Sequence, residues 1–287
     1  MPAWKGAFLK EALYSIQTQT YQDYTVIISD DCSPEPIYDI VQPFLSDSRF
    51  HYRRNDSNIG AEHLVDHWNH LLEGCQSPYL IIAGDDDLYE PTFLEKMDEL
   101  ITKYPDTNLA RSRMDIINSA RAVTRTEAPK EEFEGPSSFA KTLFDRRFLH
   151  SVGNYVFNTK GLKSAGGFKF FPLAWFSDDA TALIASSNGV SHSSEVLFHF
   201  RISGLNISSL NAKNDKLKAR ATILFYKWFR KNLGTQKVIR ITCRDYCCRL
   251  LWSYWDGLQY GYKIRILQTF PKFGWEKLKY RWEKACS

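Results

Sequence analysis

Apolar residues recur along the first hundred positions with two alternating periods. Over 7–19 they fall at Phe8, Leu9, Ala12, Leu13 and Ile16, a spacing of three and four that predicts one face of a helix. Residues 24–30 instead form a short apolar run ending in carboxylates, the pattern of a buried strand. A helix is predicted near 37–45, a short strand at 50–53, a helix over 61–73 closed by Gly74, and a second buried strand at 79–83. Pro91 opens a further helix, which Pro105 stops after Tyr104. Farther on, 195–200 reads as a strand, and 217–233 and 238–255 as amphipathic helices with Lys and Arg borders. Alternating strands and helices predict an α/β fold: a mostly parallel central sheet, flanking helices and a C-terminal helical tail.

Composition narrows the class. With 287 residues, 44% hydrophobic and 24% charged, the chain suits one large domain or a domain with an appendage. That excludes a disordered chain and a small disulfide scaffold. No apolar run approaches bilayer-spanning length, and the start Met1-Pro2-Ala3-Trp4-Lys5 lacks the apolar core of a leader peptide, so a cytoplasmic location is expected. The six cysteines are then expected as free thiols. Charge is split. Residues 211–287 carry 18 Lys and Arg against 5 Asp and Glu, a net of +13; the other 210 carry 19 against 28, a net of −9. We therefore expect two regions, 1–210 as an acidic catalytic body and 211–287 as a basic, aromatic-rich helical part.

Both apolar strands end in acid, in Ser29-Asp30-Asp31-Cys32-Ser33 and in Gly84-Asp85-Asp86-Asp87. In open α/β sheets, ligands bind at the carboxyl ends of strands. An Asp pair there often only caps a following helix. Three consecutive carboxylates repel one another and call for a cation, and hard oxygen donors select magnesium or manganese over zinc. No G-x-x-x-x-G-K-[ST] or G-x-G-x-x-G element follows a strand, which weighs against a P-loop NTPase or a Rossmann dehydrogenase. Phosphates would then be held through the metal.

In that order, Phe8-Leu-Lys-Glu-Ala-Leu13, Gln19-Thr-Tyr21, Val26-Ile-Ile-Ser-Asp-Asp-Cys-Ser33, Asn58-Ile-Gly60, Tyr79-Leu-Ile-Ile-Ala-Gly-Asp-Asp-Asp87, Gly166-Gly-Phe168 and Phe176-Ser-Asp-Asp179 resemble the motifs of family 2 glycosyltransferases across residues 2–206. The resemblance implies a GT-A-like fold, a nucleotide-sugar donor (uridine by family habit) and Mn2+ or Mg2+ as cofactor. It further implies inverting transfer to a hydroxyl of a saccharide or lipid-linked acceptor, in bacterial surface-polysaccharide or lipopolysaccharide synthesis. By position, Asp30 and Asp31 resemble the residues contacting the base, Asp85 the ribose contact, Asp86 with Asp87 the metal ligands, and Asp179 the catalytic base. Asn154 falls where the family often lines the acceptor pocket. Asp178 joins the acceptor side or caps a helix. Arg201, with His199 before it, either closes over the diphosphate or belongs to a surface loop. Two departures stand out: the family's first strand, expected to be missing here, and Gly84 in place of the first Asp of the metal motif, with Asp85 and Asp87 restoring the spacing.

His63, His67 and His70 share one helix face, but the apolar stripe beside them favours a half-exposed border over a zinc site. Trp228, Trp252, Trp255, Trp275 and Trp282 lie among the basic residues of 211–287. Rings beside cations suit an anionic membrane surface, so a peripheral position on the cytoplasmic face is expected. They also suit packing on the body or single-stranded nucleic acid; the acidic body weighs against the last, and no nucleic acid is expected. Two rival functions remain open at this stage: a catalytically impaired, membrane-bound scaffold, and a nucleotidyltransferase releasing pyrophosphate.

Overall fold

The computed structural model describes residues 1–145, 149–204, 214–233, 236–271 and 273. The chain opens with β1 (Pro2–Ala3), α1 (Leu9–Gln17), β2 (Val26–Asp30), α2 (Ile37–Val41) and β3 (Phe50–Arg54), and the three strands pair in parallel with β2 central. The strand expected to be missing is thus present as the two residues of β1, which align Pro2 with Ser29 and Ala3 with Asp30. Pro43 turns the end of the predicted second helix into a 3-10 turn over Gln42–Ser46.

Next come α3 (Leu64–Gly74), β4 (Tyr79–Leu80), β5 (Leu88–Tyr89), α4 (Phe93–Lys103), β6 (Leu109–Asn118), β7 (Val123–Thr126), β8 (Phe133–Glu134), α5 (Pro136–Asp145), β9 (Tyr155–Asn158), α6 (Thr159–Ser164), α7 (Ser177–Ala185) and β10 (Val190–Ile202). The second sheet runs β4-β9-β6-β10-β5, with β7 beside β6 and β8 beside β10. It is mixed: β6 and β10 are parallel, and the remaining pairs are antiparallel. Parallel order therefore holds in the first sheet and at the centre of the second, and the short strands around them reverse. Only Tyr79–Leu80 of the predicted strand 79–83 pairs; the rest leads as irregular chain into Asp85.

The Gly-Gly-Phe element has a local cause. Gly166 and Gly167 take φ of +83° and +74° at the end of α6, where their N–H groups donate to the Lys163 and Leu162 carbonyls. A Cβ on Gly167 would come within 2.5 Å of Asn69 Oδ1. Phe168 then drops into the core, its ring 5.5 Å from that of Trp68.

Beyond 211 come α8 (Asp215–Asn232), α9 (Lys237–Tyr254) and α10 (Tyr260–Thr269). Their inner faces join α3, α5 and α7 in one hydrophobic core. Phe225 of α8 stacks on Phe176 with centroids 4.3 Å apart and planes 7° off parallel, and meets Phe144 and Phe171 edge-on. Trp228, Trp252 and Trp255 pack against this core; Trp275 and Trp282 lie outside the described residues. Much of the aromatic content of this region therefore packs inward. The five described cysteines are free thiols, and Cys243, Cys247 and Cys248 are buried.

One polar cluster interrupts the apolar interior. Arg111 of β6 forms a paired contact with Glu127, at 2.9 and 2.7 Å, and its Nη2 also donates to the Leu149 carbonyl at 2.7 Å. His192 lies 3.4 Å from Arg111 Nη1 through Nδ1 and 3.4 Å from Glu134 Oε2 through Nε2. Burial brings the His192 imidazole down to about 4. Burial also opposes ionisation of Glu134, yet its contacts with His192 and Ser138 and the nearby Lys130 hold it at about 2.

Two measurements follow from this packing. Phe225→Ala, which removes a ring at the centre of the shared core, is expected to lower unfolding free energy in denaturant titration by about 3–5 kcal/mol; a change below ~1 kcal/mol would show that α8 is not bound into the core. The second concerns pH. Between 6.5 and about 4 the unfolded chain carries the His192 proton and the native chain does not, so stability falls as pH falls through that window. His192→Gln should flatten the Tm–pH curve there, leaving the further loss below 4.5 that comes from Glu134.

Candidate active site

The two sheets and α7 enclose a cleft of about 730 Å3, lined on one side by Asp31, Asn58 and Gly60, along its floor by Lys5 and Asp85 to Asp87, and on the far side by His150, Trp175, Asp178, Asp179 and Tyr246. Asp31, at the end of β2, faces it. Both its oxygens are occupied: Asn55 Nδ2 and Ile59 N donate to Oδ1 at 2.9 Å, Asn58 Nδ2 and Gly60 N to Oδ2 at 2.9 and 3.1 Å. The Asn58-Ile59-Gly60 element thus surrounds one carboxylate with the Asn58 side-chain amide and the N–H groups of Ile59 and Gly60, and Gly60 turns with φ +80°. Asp30 points the other way. Parallel register sets it beside Arg54, and it accepts from Arg54, from Tyr52 Oη at 2.6 Å and from Ser33 N at 2.8 Å, fully buried. It braces the turn and is not on the cleft wall.

His67 behaves differently from its helical neighbours. It is buried beneath Asp31, its Nε2 2.8 Å from Ser29 Oγ, whereas His63 and His70 face solvent. The expected half-exposed border becomes one inward and two outward rings that do not converge on a metal.

Asp85, Asp86 and Asp87 are all buried to within a tenth of their surface. The N–H groups of Trp4 and Lys5 donate to Asp85 Oδ2 at 3.0 and 2.9 Å, which ties the β1–α1 loop to this turn. Lys5 Nζ lies 3.3 Å from Asp86 Oδ2. Burial raises the Asp86 carboxyl above the usual carboxylate range, and burial with the adjacent Asp86 raises Asp87 well above it. Gly84 leaves room for the turn, since a Cβ there would sit 2.8 Å from Asp87 Oδ2. The donor set is all hard oxygen and fits magnesium or manganese. Among the described residues, no three His, Cys, Asp or Glu side chains converge to hold a metal by themselves, so an ion at this turn would draw further ligands from a bound molecule or water.

Arg201, expected to close over a ligand, lies under the acidic turn instead. It is fully buried at the end of β10, with its N–H 3.0 Å from Asp87 Oδ1 and Nε 2.8 Å from the Asp86 carbonyl. Its Nη2 bonds Glu11 Oε2 at 2.7 Å, and the guanidinium stacks 4.3 Å above the Phe8 ring. The 201–206 segment is described only to Gly204. His199 is also off the cleft, with Nε2 2.7 Å from Glu90 Oε1. Asn154 is fully buried and clamps β6: its Oδ1 accepts from Ser112 Oγ at 2.7 Å and its Nδ2 donates to the Ser112 carbonyl at 2.8 Å. Neither can meet a ligand in this cleft without rearrangement.

The far wall is built on strained backbone. Leu173, Ala174 and Phe176 have φ of +60°, +53° and +75°, each costing of order 1–3 kcal/mol for a residue with a side chain. The rings around Phe176 hold this conformation, and it starts α7 at Ser177. Asp178 and Asp179 then occupy the first turn, where the helix dipole favours negative charge. Both line the cleft, and Asp179 is almost fully buried. His150 joins them, with Nε2 3.4 Å from Asp179 Oδ1 and Nδ1 3.8 Å from Asp178 Oδ2. No sequence signal marked His150: it stands 29 residues from Asp179, in irregular chain following Leu149. Tyr246, from α9, completes this wall.

The chain is similar to several known proteins. The chain is 24% identical over 165 residues to the uncharacterized protein y4gI of Sinorhizobium fredii (strain NBRC 101917 / NGR234), covering 57% of this chain and 17% of that one. It is 30% identical over 95 residues to the putative teichuronic acid biosynthesis glycosyltransferase TuaG of Bacillus subtilis (strain 168), covering 33% and 36%. The chain thus spans well under half the length of either curated relative. Among solved structures, S. aureus TarS 1-349 in complex with UDP-GlcNAc superposes with a TM-score of 0.64 at 14% identity, over 97% of this chain and 90% of that one. The mannosyltransferase PcManGT from Pyrobaculum calidifontis, in complex with GDP-Man and Mn2+, gives 0.59 at 13% identity, over 96% and 86%. Those likenesses establish a GT-A-like fold. The family model for glycosyl transferase family 2 matches residues 1–165, more than half the chain, and the chain belongs to that family.

Proposed function

We propose that the protein is an inverting, divalent-metal-dependent glycosyltransferase of cell-surface polysaccharide synthesis. It would move a sugar from a nucleotide donor, UDP-linked by family habit, to a hydroxyl of a saccharide or lipid-linked acceptor. The observation that carries the reading is one cleft with two acidic poles: Asp85 to Asp87 at a strand-end turn, and Asp178 with Asp179 at a helix start. Neighbours solved with UDP-GlcNAc and with GDP-Man and Mn2+ support the donor class and the metal.

In this reading Asp31 and the Asn58–Gly60 turn face the base, Asp85 the ribose, and Asp86 with Asp87 hold Mn2+ or Mg2+. When bound, the ion supplies Lewis-acid stabilisation of the departing nucleoside diphosphate. Asp179 takes the proton of the acceptor hydroxyl as its oxygen attacks the anomeric carbon, and the bond to the diphosphate breaks on the opposite face. His150 orients the Asp179 carboxyl, and Asp178, beside it, faces the acceptor. Arg201 supports the metal turn from beneath, and Asp30 braces Asp31.

The basic region 211–287 is proposed to meet an anionic membrane surface. No described helix is long and apolar enough to cross a membrane. A groove between α8 and α10 is lined by Arg220, Lys227, Arg230, Lys231 and Arg265, and among the described residues none of these five has an ion-pair partner. Anionic headgroups would supply the missing charge.

Two tests address these proposals. Calorimetric titration of UDP should show binding that requires Mn2+. Asp86→Ala should abolish it, while Asp179→Asn should keep it and lose transfer by about 10²–10⁴-fold; full transfer by Asp179→Asn would remove the base assignment. Separately, Lys227→Glu combined with Lys231→Glu should weaken sedimentation with phosphatidylglycerol vesicles by more than about tenfold, at about 1 kcal/mol per basic residue. Equal binding by variant and parent would rule out this groove as the contact.

A further inference from the structure

Lys5 has no part in the chemistry above, yet its side chain reaches the middle of the acidic turn. It comes from the loop between β1 and α1, and that loop is fixed by the two N–H groups donated to Asp85 Oδ2. The backbone of Lys5 is therefore held against the carboxylates, and its ammonium lies 3.3 Å from Asp86 Oδ2 and 3.9 Å from Asp85 Oδ1. The side chain is 24% exposed and lines the cleft, so a bound anion can reach it.

The neighbouring Arg201 does not take the same place. Its guanidinium is committed to the Asp86 and Ser119 carbonyls and to Glu11, on the buried side of the turn. Among the described residues, the cation nearest the three carboxylates on the cleft side is Lys5. Two cations cannot hold one carboxylate oxygen without repelling each other, and the repulsion is strong in a half-buried, low-dielectric site.

We propose that Lys5 is a resident counter-cation of the donor site, competing with the divalent ion for Asp86 in the free protein and passing to the diphosphate of the bound donor. The proposal rests on the reading of the cleft as a nucleotide-sugar site. Its consequence is order of binding. The bare ion meets a turn whose charge Lys5 has already reduced, and binds weakly. A nucleoside diphosphate draws the ammonium onto its own oxygens, frees Asp86, and brings further oxygen ligands for the ion. Nucleotide and metal then enter together.

The experiment measures free Mn2+ by electron paramagnetic resonance, with and without UDP, in the full chain and in Lys5→Met and Lys5→Arg. Lys5→Met keeps the length of the stem and loses the charge, and neither backbone contact to Asp85 depends on the side chain. We expect Lys5→Met to bind Mn2+ alone at least roughly tenfold tighter than the parent, and to bind UDP in saturating Mn2+ roughly tenfold more weakly. Lys5→Arg should follow the parent in both. Should Lys5→Met fail to fold by circular dichroism, Lys5→Gln replaces it with the same expectation. Mn2+ affinity unchanged by loss of the charge, with UDP-dependent Mn2+ binding intact, overturns the role of Lys5 and leaves the nucleotide-sugar reading standing. Absence of UDP-dependent Mn2+ binding from the parent overturns both.

Discussion

Three adjacent buried carboxylates are the constraint around which this molecule is arranged. Burying like charges side by side is unfavourable, and each must be met by a donor or a cation. Asp85 is met by two backbone N–H groups from the first loop, Asp86 by Lys5, and Asp87 by the N–H of Arg201. Those partners come from the β1–α1 loop and from β10, so the turn joins the first sheet to the last strand of the second. Arg201 extends the connection by pairing with Glu11 of α1 over the Phe8 ring. Breaking any one of these contacts leaves a buried charged group less fully compensated, a larger loss than the contact itself is worth.

The sequence conveyed the acidic poles of the site more fully than the groups that support them. Asp31, Asp85 to Asp87 and Asp179 were readable because strand-end acids after apolar runs are unusual, and because the motif order resembles a known family. The structure brings all of them to one cleft. Asp30, Asn154, His199 and Arg201 were read toward the ligand and instead bind other parts of the chain. Each is a polar residue beside a motif, and sequence spacing cannot say which face of a strand Asp30, His199 or Arg201 takes when both faces are buried, nor which way the turn before β9 aims Asn154. β6 went unread for a related reason. Its buried positions include Arg111, Ser112 and Asp115, so the apolar run that marks an inner strand is broken by residues whose partners, such as Glu127, lie on other elements. His150 gave no signal because it meets Asp179 only through the folding of the chain between them.

The C-terminal helices show the same limit at a larger scale. Charge and tryptophan content pointed outward, to a surface partner, yet Phe225, Trp228 and Tyr246 face the core behind Asp179. Both expectations can hold for one helix, since a stripe of rings can be buried while Lys227, Arg230 and Lys231 stay on the opposite side in solvent. The composition of such a segment reports both faces at once, and only packing separates them.

The two poles of the cleft also rest on different cores. The Asp85–Asp87 turn is seated on the cluster that contains α1, α2 and α4, and Asp179 on the cluster that contains α3, α5, α7, α8 and α9. Between them run β6 and β10, paired in parallel through irregular register near Arg113 and Val196. The separation between Asp86 and Asp179 is therefore set by two packed cores and the strand pair they share, not by a single loop. Positive φ at Leu173, Ala174 and Phe176 adds strain beside Asp179, as positive φ at Cys32 does beside Asp31, and the strain beside Asp179 is held by the stack of Phe176 on Phe225. An aromatic contact from the C-terminal region thus bears on where the proposed base stands, which makes α8 a structural part of the site even though none of its residues lines the cleft.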